Sequence, residues 1–257
     1  MSEQNPEEME EIEQEMESEK EKQEEEIEEQ SEALWLLYAG LFAFIKTAIF
    51  DTYSKTPNWN WQEVNKFKRL DKLNKSISDK INEFRKEENK TFTKFLSSNF
   101  TNFYNSTMLL IGLSPNGTKK LTPVQIRKEL DFPWSGMTFS ERIWKNQEQL
   151  KQRLMEGLKQ SAINEESIQQ LTKRLEKEFK TSHANAKRLV VTENTRVQYL
   201  ADMKAFQDNG IKKVKYNAKL DKSCKECQSL HGKVFVVGKE KSLPLHANCK
   251  CFYTPVK

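Results

Sequence analysis

Apolar positions recur at helical spacing through most of the chain and give way to strict alternation only after Gly210. The most apolar run is Leu34 to Phe50, LWLLYAGLFAFIKTAIF, seventeen residues. As a helix it would span roughly 26 Å, slightly short of a hydrocarbon core of about 30 Å. It suits a helix buried between others or seated in a partner's groove. Read instead as a membrane span, it has an acidic segment before it and Lys46 and Lys55 towards and beyond its end, as a helix with its C-terminal side in the cytoplasm has. From Trp59 to Glu88, Val64, Phe67, Leu70, Leu73, Ile77, Ile81 and Phe84 fall three or four residues apart and predict one long amphipathic helix. Its other face carries Lys66, Lys68, Arg69, Lys72, Lys75, Lys80, Arg85 and Lys86, which reads as a solvated face or a phosphate-contacting one. Phe92, Phe95, Leu96, Phe100, Phe103, Tyr104, Met108 and Ile111 continue the helical period as a core stripe.

Pro115, Gly117, Pro123 and Pro133 make residues 112 to 136 a connector, with one short helical piece at Pro123 to Leu130. A third helix is expected from Ser140, as its cap, through Ile143, Leu150, Leu154 and Leu158. Asn164 is the expected cap of a fourth through Ile168, Leu171, Leu175 and Phe179, and Ser182 of a fifth through Leu189, Val197, Leu200, Ala201 and Phe206. Asn209-Gly210 supplies a left-handed stop. Beyond it, Val214, Tyr216 and Ala218, then KVFVV at 233–237 and CKCFYTPV at 249–256, predict two or three short strands. The fold class is therefore mainly α, an extended helical body closed by a small C-terminal β-rich, zinc-knuckle-like segment, α+β in sum.

Composition supports the helices: 8 Gly and 7 Pro in 257 residues disfavour turn-rich barrels and glycine-cradled nucleotide folds. The formal charge of +4 changes meaning when divided by position. Residues 1–33 hold 16 Glu and two Lys, a net of −14, which leaves +18 on residues 34–257. Self-repulsion and scant apolar surface make the acidic stretch a disordered arm or a solvated helix. The basic remainder favours a polyanionic contact, whether nucleic acid, an acidic protein surface or the arm itself. An acidic N-terminus lacks the basic start of a cleavable signal peptide, so an intracellular protein with reduced thiols is expected.

All four cysteines lie between 224 and 251. Cys224 and Cys227 form a CxxC, and after eighteen intervening residues come His246, Cys249 and Cys251 in LHANCKC. Thiolate and imidazole are the donors Zn²⁺ prefers, and two close pairs on separate turns let a tetrahedral ion clamp two chain segments. Five candidates exceed four positions, so one of His246, Cys249 and Cys251 stands beside the site. A filled four-ligand set leaves no open position for water, which points to structural zinc rather than hydrolysis. Metal-free thiols and a redox CxxC are the alternatives; His183 and His231 read as packing or surface residues. Nothing in the sequence builds an oxyanion hole or a base relay around a Cys–His pair, so no catalytic residue and no enzyme activity are expected.

PWSGMTFSERIW at 133–144, RLVVTENTRV at 188–197, NGIKKVKYNAKLDKSCKEC at 209–227, LHGKVF at 230–235 and LPLHANCKC at 243–251 together resemble the minor head proteins of tailed phages, the Mu F-like head-morphogenesis family. The likeness runs over about residues 125–257. Ser223, Ala247 and Lys250 stand where the family has Thr, Pro and Arg, and no candidate ligand is lost. The division expected is an acidic arm at 1–33, a helical region at 34–124 and a Mu F-like domain at 125–257. The resemblance implies a minor capsid protein in the virion, inside the capsid near the portal vertex, and in the host cytoplasm during assembly. It further implies a role in head assembly, DNA packaging or ejection, with portal protein, scaffold or major capsid protein and packaged double-stranded DNA as partners. Arg188, Thr192 and Glu193 match the family's RxxxTE and read as an interhelical polar brace. Two rivals remain: a membrane-tethered nucleic-acid-binding protein anchored by Leu34 to Phe50, and a toxin-related enzyme module. Membrane contact is not expected, and the homologous stretch ends too close to Lys257 to leave room for a downstream catalytic domain. The acidic arm is expected to occupy the basic surface ahead of DNA, or to contact a basic partner such as scaffold.

Overall fold

The computed structural model describes residues 6–56, 58–112, 121–220 and 223–256. Seven α-helices and three strands follow in the order α1 (Pro6–Ser54), α2 (Trp61–Asn65), α3 (Arg69–Leu110), α4 (Pro123–Leu130), α5 (Phe139–Ile163), α6 (Ile168–Asp208), β1 (Lys213–Asn217), α7 (Lys225–Leu230), β2 (Val234–Val236) and β3 (Phe252–Val256) among these residues. A single 3₁₀ turn at Lys66–Lys68 separates α2 from α3. The fold is thus mainly α with a small C-terminal sheet. Contacts group the chain into two compact units: residues 1–30, 92–139 and 188–257 in one, 31–91 and 140–187 in the other.

The second of these units is a helical core with no strand among its described residues. Tyr38, Leu41, Ile45 and Ile49 of α1 meet Leu70, Leu73, Ile77, Ile81 and Phe84 of α3, Leu150, Leu154 and Leu158 of α5, and Leu171, Leu175 and Phe179 of α6. Each set repeats every three or four residues, so each helix offers one apolar stripe to a shared interior. The apolar run of α1 is accordingly divided. Leu34, Tyr38, Leu41, Ile45 and Ile49 are buried, whereas Trp35, Leu36, Phe44 and Phe50 are exposed. By length and composition α1 is also the one described helix that could cross a membrane.

Four local features of this unit differ from the sequence expectation. The helix foreseen over 59–88 is interrupted: Phe67 and Lys68 take left-handed φ of 55° and 54°. The break rotates Phe67 out of the apolar stripe to 76% exposure, while Val64 and Leu70 on either side stay buried. Asn164 follows the end of α5, its N–H donating to Gln160 O at 2.9 Å, and does not cap α6. The chain turns through Glu165 at φ 53°, and Ser167 begins α6 with a capping box, its Oγ accepting from Gln170 N and Gln170 Oε1 accepting from Ser167 N. Ser182 lies within α6, so the expected fourth and fifth helices are one. Likewise α5 starts at Phe139, which puts Ser140 inside its first turn.

The other unit joins the aromatic second half of α3, with Phe92, Phe95, Phe100, Phe103 and Tyr104 buried, to α4, the second half of α6 and the sheet. α4 occupies the span foreseen for it, because Thr122 and Gln125 form a capping box and Pro123 supplies the first helical residue. The rest of the connector, 113–120, lies outside the described residues, as do Asp221 and Lys222 before the first cysteine. α6 ends at the left-handed Gly210, φ 69°. The sheet is antiparallel in the order β2-β1-β3, with Val214 opposite Phe235 on one side and Pro255 on the other.

Of the two readings of the acidic stretch, disordered arm or solvated helix, its described residues take the helical one. From Pro6 it is the first part of α1, and Ile12 and Met16, four residues apart, bury themselves with Phe206, Val214, Tyr216, Cys249 and Tyr253. Two apolar residues on one helical face outweigh the self-repulsion because they reach a core that the sheet leaves open on that side.

Candidate metal centre

Chain reversals bring the cysteines together. β1 delivers Tyr216 to the interior, and the backbone then turns at Cys224, which takes the N-cap position of α7 in extended geometry, φ −73° and ψ 167°. Three residues on, within the first turn of that helix, Cys227 points inward and is fully buried. The second segment turns at Asn248, a left-handed residue with φ 60°, while Cys249 N donates to His246 O at 3.2 Å. This tight turn joins His246 to Cys249, and Cys251 follows just before β3.

All five expected donors lie in this cluster. Cys224, Cys227 and His246 have donor atoms within 4.8 Å of one another, as do Cys227, Cys249 and Cys251, and Cys227 belongs to both groups. The cluster can hold a metal ion. His246 Nε2 is 3.3 Å from Cys227 Sγ, and His246 Nδ1 is 2.9 Å from the Ala247 carbonyl. A proton on Nδ1 donated to that carbonyl leaves the Nε2 lone pair aimed at the thiols, the orientation an imidazole ligand needs. No disulfide joins the four cysteines. His231 and His183 sit elsewhere. His231 Nδ1 accepts from Ala218 N at 3.2 Å, and His183 lies edge-on to Trp35 with ring centroids 5.0 Å apart.

Protons are unevenly held within the cluster. A hydrogen bond from the Cys251 thiol lowers Cys249 to about 5. The same pairing with Cys249, together with burial, raises Cys251. Burial pushes Cys227 up to about 11. Cys224 is lowered, foremost by the Cys227 backbone N–H at the start of α7, and His246 is raised, foremost by the Ala247 carbonyl. The Tyr216 hydroxyl, buried and without a hydrogen-bond partner at normal distance, is itself raised by burial and by the nearby Cys227 and Cys251 sulfurs. An interior this dense in sulfur and this poor in hydrogen-bond partners is one that a cation binding to thiolates would relieve.

The RxxxTE segment braces this centre from α6. Thr192 Oγ1 donates to the Arg188 carbonyl one turn back at 2.7 Å and accepts from Asn248 N at 3.0 Å. Thr195 Oγ1, one turn further along, donates to the Cys249 carbonyl at 2.5 Å. Two hydroxyls on one helical face thereby hold the backbone of the His246–Cys249 turn. Glu193, fully buried, pairs with Arg196 at 3.1 Å and accepts from Trp134 Nε1 at 3.1 Å. The Arg196 guanidinium also donates to the Glu129 and Leu130 carbonyls at 3.0 and 3.1 Å, so it caps the C-terminal end of α4. Thr192 and Glu193 thus act as a polar brace, though onto the Asn248 turn and Trp134 of the connector rather than between helices as expected. Thr195, Arg196, Trp134 and Tyr216 were not foreseen: their partners lie 54 to 67 residues away for Thr195 and Arg196, beyond the reach of local spacing.

Residues 148–254 match the family model described as Phage Mu protein F like protein. The matched segment contains the whole Cys/His cluster and the brace residues of α6, while PWSGMTFSERIW at 133–144 lies before it. Neither a curated protein nor a solved structure shows a significant match to the chain.

Proposed function

We propose, from the match of residues 148–254 to the Phage Mu protein F like family, that this is a Mu F-like phage head protein, a minor, nonenzymatic capsid component that docks at the portal vertex inside the head. There it serves head assembly and the packaging or ejection of DNA, with the portal protein as principal partner and scaffold or major capsid protein as further contacts. The observation that carries the reading is the family match, whose span takes in all five sulfur and imidazole donors. We take the metal to be zinc, held by four of Cys224, Cys227, His246, Cys249 and Cys251. The donor chemistry fits: soft thiolates and one imidazole with its second nitrogen tied to a carbonyl. Bound there, zinc would supply folding free energy to the small C-terminal sheet and the two segments that carry the donors.

A noncatalytic role is supported by the engagement of the polar residues that chemistry would need. Glu193, Arg196, Thr192 and Thr195 are all committed to backbone or buried side-chain partners. A membrane anchor forms no part of the proposal, since Tyr38, Leu41, Ile45 and Ile49 of the apolar run complete a protein core. The exposed Trp35, Leu36, Phe44 and Phe50 leave apolar area for a protein partner instead. The test is co-expression with the portal protein of the same phage, followed by affinity purification of the portal and counting of this chain in purified heads. Co-purification at a few copies per particle is expected. Absence from the heads, or a copy number matching the major shell, would overturn the assignment.

A further inference from the structure

The first stretch of α1 places Glu13, Glu17, Glu21 and Glu24 four, four and three residues apart, on one helical face. Together they line a cleft of about 110 Å³ whose facing residues include Lys219, Lys250, His231 and Asn217. Glu24 bridges two lysines that are distant in sequence, accepting from Lys219 Nζ at 2.9 Å and Lys250 Nζ at 2.8 Å, and Glu13 pairs with Lys215. One of these lysines comes from β1, one from the segment after it, and one lies between Cys249 and Cys251. Just beside them, Ile12 and Met16 anchor the helix in the core that also holds those two cysteines.

Charge sets the scale of the contact. Residues 209–257 carry eleven Lys against Asp221, Glu226 and Glu240, a net of +8, opposite a segment whose net is −14. A row of carboxylates along a helix presents negative charge to lysines much as a phosphate backbone does. Each of the three pairs is about 30% exposed, so each contributes little alone and is weakened by salt. A contact built this way is specific in position and exchangeable for another polyanion.

We propose that the Glu13–Glu24 face of α1 is a built-in polyanion mimic that occupies Lys215, Lys219 and Lys250, and that double-stranded DNA competes with it for the same three lysines. The acidic stretch then keeps the basic face of the metal-binding end closed until DNA is present at high local concentration. Only the identity of the polyanion rests on the phage-head reading; the competition itself rests on the ion pairs.

The test uses the full chain and a fluorescent double-stranded oligonucleotide, with anisotropy measured over a salt series. Glu13→Gln with Glu24→Gln is expected to tighten binding roughly tenfold at low salt, since three salt-sensitive pairs are released. Adding Lys215→Ala, Lys219→Ala and Lys250→Ala should abolish that gain and lower the steepness of log affinity against log salt by about three. Metal content and circular dichroism of each variant establish that the fold is retained, and a lysine set that fails this check is replaced by single substitutions. Unchanged affinity in the glutamine variant, a gain that survives removal of the lysines, or no DNA binding by any variant would overturn the proposal. Incorporation into heads would be untouched by any of these results, so the two readings fail separately.

Discussion

Glu88 is a carboxyl buried to 1% exposure where α1, α3 and α5 meet. Tyr38 Oη donates to one of its oxygens at 3.0 Å and Gln147 Nε2 to the other at 2.6 Å. Two neutral donors do not replace the water lost on burial, and no cation is among the groups that shift its titration, so its pKa rises from 4.5 to about 7. The native state therefore binds this proton more tightly than the unfolded chain does. Linkage then fixes the sign: the group's stabilising effect is complete below about pH 4.5, declines as pH rises through 7, and is gone above it. Across that window the change is about 3 kcal/mol, and between pH 5.5 and 8 about 2 kcal/mol.

Glu88→Gln keeps the shape and an acceptor for Tyr38 while removing the titration. Urea unfolding, followed by tryptophan fluorescence at several pH values from 5.5 to 8, should show the difference in stability between wild type and variant shifting by about 2 kcal/mol in the variant's favour as pH rises. Comparing the two proteins at each pH cancels every other titrating group, including those of the cysteine cluster. Parallel stability curves, with a constant offset, would refute the claim that Glu88 is held neutral by its burial.

Two further outcomes follow from the site. Elemental analysis should find about one zinc per chain, lost in a Cys224→Ser, Cys227→Ser double variant together with the β-sheet signal; a fully folded, metal-free protein would end the zinc assignment. Glu193→Ala should destabilise by about 3–5 kcal/mol, because it leaves the buried Arg196 guanidinium without its carboxylate and removes the Trp134 Nε1 hydrogen bond, and a measured loss under 1 kcal/mol would show the brace to be dispensable.

What could be read from the chain follows from the range of each interaction. The clustering of Cys224, Cys227, His246, Cys249 and Cys251 was legible because closely spaced cysteines and histidines advertise themselves by residue type, and α4 because its capping box and proline act within four residues. Core stripes were legible wherever the helical period was unbroken, as in Leu150, Leu154 and Leu158. Phe67 escaped because two consecutive left-handed residues have no glycine to announce them. Asn164 and Ser182 misled for the opposite reason, since a capping side chain is also tolerated within a turn or a buried helix face. The brace was half visible: the residues were there to see, but a threonine becomes a loop clamp only when a carbonyl from 54 residues away arrives beside it.

Charge is the instructive case. Divided by position, it identified an acidic stretch and a basic remainder and suggested that they attract, yet the same arithmetic argued for disorder, because it counted repulsion among the glutamates and omitted Ile12 and Met16. Burying two such side chains is worth on the order of 3–6 kcal/mol, whereas exposed ion pairs contribute up to about 1 kcal/mol each. The order of the stretch is therefore set by its apolar residues, and the glutamates set what it covers. An anchor that is insensitive to salt, joined to a face that is sensitive to it, lets the Glu13–Glu24 face release Lys215, Lys219 and Lys250 while Ile12 and Met16 stay seated.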